Sequence, residues 1–79
     1  MLEFHVFLHS IEDVRSFVSA ATLCPADIDV ISGRYTVDAK SIMGLFSLSL
    51  DKPVLVRAYG ESADAESFKN QVAHLIPQE

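Results

Sequence analysis

The sequence predicts a two-layer α/β sandwich, an antiparallel sheet with its helices gathered on one face, in the order β-α-β-β-α-β-α. Three observations carry that expectation. Residues 2–9 alternate apolar and polar with a period of two. Two β-prone runs flank the short turn Ser32-Gly33. Three serines, Ser10, Ser41 and Ser62, each stand where a helix is expected to start.

In the first strand, Leu2, Phe4, Val6 and Leu8 share one side, and Glu3, His5, Phe7 and His9 the other. Only the first set is apolar throughout, so one side of the strand is expected to be buried. Ser10, with Asp13 three residues on, has the form of a capping box. Val14, Phe17, Val18 and Ala21 follow at helical spacing, and Pro25 ends the helix because proline cannot continue one. Residues 27–31 and 34–38 form the expected hairpin. Residues 41–48 crowd Ile42, Met43, Leu45, Phe46 and Leu48 behind Ser41. A buried strand has a similar look, but Gly44 sits mid-run and β-branched residues are few, so the stretch reads as a short helix capped by Ser41. Asp51-Lys52-Pro53 breaks the chain, Val54 to Tyr59 forms the fourth strand, and Gly60 closes it. Ser62 caps a final helix carrying Ala65, Phe68, Val72, Leu75 and Ile76, with Glu61 and Asp64 at its positive end.

A chain of 79 residues, 49% hydrophobic and 22% charged, has room for one core, so residues 1–79 are expected to form a single domain. No apolar run approaches the roughly 20 residues that span a bilayer, and Met1-Leu2-Glu3-Phe4-His5 lacks the basic start of a signal peptide. Cys24 is alone, which rules out a disulfide framework and fits a reducing cytoplasm. A formal charge of −5 argues against nucleic acid or an anionic membrane as the main partner. No Cys, His or carboxylate cluster has metal-ligand spacing, no glycine-rich phosphate loop is present, and no cofactor is implied.

The order of elements and the motif Lys40-Ser41-Ile42-Met43-Gly44 resemble the HPr family, small phosphocarriers of the bacterial sugar phosphotransferase system. The resemblance runs over essentially the whole chain. It implies strand order 1-4-2-3 with three helices on one side. It also implies a phosphoryl-accepting histidine at the start of helix 1, in a motif like G-[IL]-H-A-R-P. Counted back from Ser41 without gaps, that histidine's place is taken by Ser10, and the arginine and proline are replaced by Glu12 and Asp13. A phosphate there would meet two carboxylates, and like charge within about 4–6 Å raises the cost of an added dianion.

The resemblance therefore moves attention to other residues. His9 is the alternative phosphoryl acceptor, one residue from the expected position, with Arg15 one turn into the helix as a phosphate partner. The competing reading makes His9 an exposed strand-end residue. Ser10 lacks a neighbouring base to activate it, and capping alone explains it. Ser41 matches a serine that a dedicated kinase phosphorylates in some Gram-positive members; it is equally a structural cap. A catabolite-repression paralogue of HPr pairs a missing carrier histidine with a retained regulatory serine, as this sequence does. Ile42, Met43 and Phe46 match apolar residues that meet partner proteins in the family, and core packing is the alternative for each. His5 and His74 read as surface or boundary residues, and Cys24 as a small buried apolar group.

Taken together, the residues and the resemblance predict a non-enzymatic, cytoplasmic HPr-like protein that docks partners and is gated at Ser41. Those partners would be phosphotransferase-system components, a serine kinase or a transcriptional regulator. A working carrier using His9 and a purely structural domain are the two alternatives.

Overall fold

The computed structural model describes residues 1–77. Its elements are β1 (Leu2–Val6), α1 (Ile11–Leu23), β2 (Ile28–Ser32), β3 (Tyr35–Asp38), α2 (Ile42–Phe46), β4 (Val54–Ala58) and α3 (Ser62–Gln71), closed by a 3-10 turn at Ala73–Leu75. The strands form one antiparallel sheet in the order β1-β4-β2-β3. The expected fold class and strand order are both present.

Register decides which side of each strand meets the helices. Val6 lies opposite Val54, Phe4 opposite Val56, and Val56 opposite Val30, so their side chains share one face. All five are buried, as are Ile28 and Ala58 on the same face. The helices cover this layer with Val14, Phe17 and Ala21 from α1, Leu45 from α2, and Ala65 and Phe68 from α3. Phe68 sits between two other rings, its centroid 5.5 Å from Phe17 and 6.1 Å from Phe4. No polar or charged residue is buried among the described residues, so this core carries no desolvated charge.

The opposite face of the sheet is open. The same register lines up Glu3, Arg57, Asp29 and Asp38 in one row across it, and His5, Leu55, Ile31 and Thr36 in the next. Arg57 Nε donates to Glu3 Oε2 at 2.7 Å. That bond first, and the Tyr59 hydroxyl second, raise the guanidinium pKa above its ordinary value.

Several boundaries differ from those the sequence predicts, each for a local reason. The alternation over residues 2–9 persists in burial, with Leu8 buried and His9 exposed, but the ladder stops at Val6. The next partner in register would be Pro53, which has no N–H to donate; Phe7 instead donates to the Leu75 carbonyl at 2.8 Å. The hairpin turn is Gly33-Arg34 rather than Ser32-Gly33, because Ser32 pairs with Tyr35. Gly33 has φ +59° and no other residue of the turn is positive, as in a type II′ hairpin. β4 ends at Ala58, one residue before the predicted limit, although Tyr59 still donates to the Asp27 carbonyl.

The residue before α3 is Glu61, which makes no side-chain capping bond, so Ser62 is the first helical residue and not the cap. α3 also ends at Gln71, short of Leu75 and Ile76. Ile76 is extended (φ −78°, ψ 122°), the conformation favoured before a proline, here Pro77.

Two substitutions test this architecture. Phe68→Ala should lower the urea midpoint through a loss of about 3–5 kcal/mol, comparable with the whole stability of a domain this size, roughly 4–12 kcal/mol. Gly33→Ala should cost about 1–2 kcal/mol from conformation alone, since a Cβ there meets nothing within 4 Å. A loss in the second variant larger than that would show packing at the turn that the structure lacks.

Candidate functional site

The mouths of α1 and α2 hold the residues singled out by sequence. Both helices start on a serine cap, because the first N–H groups of a helix have no partner within it. The two helices touch.

At α1, Ser10 is extended (φ −147°, ψ 169°) and its Oγ accepts from the Asp13 N–H at 3.2 Å. Asp13 answers with Oδ2, which accepts from the His9 N–H at 2.9 Å. Ordinarily the second bond of a capping box returns to the cap residue; here it returns one residue earlier. Its consequence is electrostatic. The Asp13 carboxylate, with Glu12 beside it, lies at the positive end of the helix dipole, where a phosphoryl group would otherwise be stabilised.

His9 is exposed, and its ring stacks on Phe7 with centroids 4.0 Å apart and planes at 19°. Arg15 is exposed as well, and among the described residues it forms no ion pair and no side-chain hydrogen bond to His9.

At α2, the Ser41 Oγ accepts from the Gly44 N–H at 3.1 Å. The approach is held by Asp38, whose Oδ1 accepts from Lys40 N at 2.9 Å and whose carbonyl accepts from Ser41 N at 3.0 Å. Gly44 keeps this corner uncrowded: a Cβ there would lie 3.2 Å from Ser41 Oγ and 3.3 Å from Val37 Cβ, so the neighbours would have to give by a few tenths of an ångström. The motif glycine thus lets the cap close against β3.

α2 spans Ile42–Phe46, shorter than the predicted 41–48, because the Gly44 carbonyl is taken. Ser47 donates to it through both Oγ, at 2.6 Å, and N, at 3.2 Å, so Leu48 N turns to Leu45 at 3.1 Å.

The three proposed docking residues part company. Met43 is 77% exposed and Phe46 45% exposed, whereas Ile42 is half-buried against the core. Sequence reasoning missed Ile11, 62% exposed at the first turn of α1. Its only signal was that it falls off the Val14-Phe17-Ala21 stripe.

Elsewhere, His5 and His74 are exposed, and Cys24 is buried with its thiol 3.7 Å from the Asp64 carbonyl. Among the described residues, no group of three metal-ligating side chains comes together, and no helix is long and apolar enough to cross a membrane.

Three structural likenesses accompany this geometry. HPr-C-His from Thermoanaerobacter tengcongensis is 23% identical, with a TM-score of 0.76 over 100% of this chain and 99% of that one; it speaks to the fold. The phosphocarrier protein HPr of Bacillus anthracis is 28% identical (TM-score 0.74; 94% and 93% covered). Crh of Bacillus subtilis, described as a catabolite repression containing protein that crystallised as a swapped dimer, is also 28% identical (TM-score 0.65; 99% and 93% covered). No curated protein sequence matches the chain. The family model for the HPr component phosphorylation site of the phosphotransferase system matches residues 14–78. With the sheet order, the helix layer and the Lys40–Gly44 motif in place, the chain belongs to the HPr family of the phosphotransferase system.

Proposed function

We propose that this HPr-family protein is a cytoplasmic regulatory and docking protein, that it does not act as a histidine phosphocarrier, and that phosphorylation of Ser41 switches it. The single observation that carries this reading is the Asp13 carboxylate at the mouth of α1, hydrogen-bonded to the His9 backbone. A phosphoryl group on His9 would bring a second anion to a site already filled by one, with Glu12 adjacent. The stacking of His9 on Phe7 adds to the cost, since the imidazole must leave that contact to reach a donor protein.

Ser41 differs in its first turn, which holds no acidic residue; Lys40 precedes it, and the Asp38 carboxylate lies before the cap, on the Lys40 N–H. A kinase would transfer the γ-phosphoryl of ATP to Oγ, releasing ADP and a proton. The ester adds about −1.5 to −2 charges next to the exposed Met43 and Phe46. An apolar surface that partners meet then becomes strongly anionic, which changes the set of partners it fits. Partners of this kind are other phosphotransferase-system proteins, a serine kinase or a transcriptional regulator. The likeness to Crh, whose description names catabolite repression, is in line with a regulatory part. No chemistry beyond accepting a phosphoryl group is assigned to the domain itself.

The test is intact-mass spectrometry after two incubations, one with the system's first enzyme and phosphoenolpyruvate, the other with the serine kinase and ATP. The first should give no adduct. The second should give one acid-stable phosphate that disappears in Ser41→Ala. An acid-labile phosphate lost in His9→Ala would instead establish a working carrier, and no label from either would leave a fold reused for structure alone. For the docking surface, Met43→Asp with Phe46→Asp should abolish capture of a regulatory partner while costing about 0.5 kcal/mol or less at Met43 and about 1–2 kcal/mol at the half-covered Phe46.

A further inference from the structure

The open face of the sheet lies on the far side from the α1 and α2 mouths, and its chemistry is polarised along the strands. At one end stand Asp27, Asp29 and Asp38, around a shallow depression shared with Tyr59. Asp29 and Asp38 are directly opposite each other across β2 and β3, where like charges destabilise a sheet. The nearest cation in that row, Arg57, is engaged by Glu3. At the other end, the hairpin turn carries Arg34, and Lys52 lines a second depression with His5 and Asp51. Between the two ends runs the row His5, Leu55, Ile31 and Thr36, whose apolar pair is only half-buried within one chain.

We propose that this face is a self-docking surface for a second copy of the chain. A two-fold axis laid along the His5–Thr36 row, crossing the strands, places Leu55 and Ile31 over their own counterparts. The same rotation sets the acidic end of each copy over the Arg34 and Lys52 end of the other. A rotation about the strand direction would instead oppose acid to acid, so charge selects one arrangement of the two. The register supports it laterally too, since Arg34 and the three aspartates belong to the same hairpin side of the sheet. Packed sheets stand about 10 Å apart, and this face measures roughly 19 by 17 Å from strand spacing and rise, so the dimer belongs to the small, exchangeable class of interfaces. Ser41 and the mouth of α1 lie outside this contact, although Asp38 of the acidic end also holds the approach to Ser41.

Sedimentation of the whole chain over a concentration series tests this, with folding of each variant checked by circular dichroism. The natural chain should dimerise reversibly and less at high salt. Arg34→Glu with Lys52→Glu makes both ends acidic; Asp27→Lys with Asp29→Lys makes both ends basic. Each variant alone should self-associate at least about tenfold more weakly, because like charges then face each other. An equimolar mixture should associate again, since both rims of the mixed pair are complementary. Should the Asp29 variant fail to fold, Leu55→Glu in the central row serves in its place and should abolish association. The proposal is overturned if the natural chain stays monomeric up to about 1 mM. It is also overturned if the charge-reversed variants keep the dimer, which would put the contact on another surface or in strand exchange, or if their mixture stays monomeric.

Discussion

Everything in this molecule hangs on β4, which lies between β1 and β2 and pairs with both. It is the point where the first strand of the chain meets the hairpin, so the sheet is one layer only while Val54–Ala58 keeps its register. That register has a strict consequence, because side chains alternate: a slip of one residue would turn Val54 and Val56 outward and bring Leu55 and Arg57 under the helices. The apolar continuity of the inner face makes the slip costly, and Pro53 fixes where the pairing with β1 ends. The positions of α1 and α2, and therefore of both serine caps, follow from the layer so defined.

Two helix mouths with the same local solution then differ in what they offer an anion. Each uses a serine hydroxyl to satisfy the N–H three residues on. At α1 the residue that donates this N–H is itself an aspartate, and its side chain turns back to accept from the His9 N–H. At α2 the donating residue is a glycine, which contributes no charge and leaves the cap closely packed against Val37. Each mouth therefore has a carboxylate on the N–H of the residue before its cap, Asp13 on His9 and Asp38 on Lys40, but only at α1 does that carboxylate lie within the first turn of the helix. Negative charge in the first turn of a helix occupies the place where its dipole would otherwise favour an anion, and the two mouths differ in that respect.

Much of the fold was legible because it rests on patterns that tertiary context reinforces. The period-two run at Leu2–Leu8, the Val14-Phe17-Ala21 stripe and the glycine turn each point the same way at every level, and all three are present. What sequence could not give was local competition for a single backbone group. The end of α2 depends on Ser47 reaching the Gly44 carbonyl before Leu48 does, and the start of α3 on Glu61 rather than Ser62 taking the cap position. Nothing in composition or spacing ranks those contests. At the site, Ser10 and Ser41 were legible as caps, but the exposure of Ile11 was not, since an apolar residue off the stripe has no assigned side until the helix is docked. The juxtaposition of Asp29 with Asp38 was equally hidden, because it exists only once the hairpin turn is fixed at Gly33-Arg34 rather than one residue earlier.

The two surfaces left over after the core is made lie on opposite sides of the sheet, and that separation governs how they relate. A phosphate at Ser41 acts through its charge, and at physiological ionic strength its influence between exposed groups fades over about 8 Å. Between Ser41 and the open face stand β3 and the inner face of the sheet, with Val37 packed behind Gly44 and Asp38 bridging to the Lys40 N–H. Asp38 is the one residue with a part in both regions: its backbone and carboxylate hold the approach to α2, while its place in the register puts it beside Asp29 on the open face. Its carboxylate accepts from the Lys40 N–H on one side, and on the other it lies opposite Asp29, whose own carboxylate accepts from the Tyr59 hydroxyl at 3.1 Å. The α2 mouth and the open face are thus separated by the thickness of the sheet, and Asp38 links the two through its backbone and its place in the register.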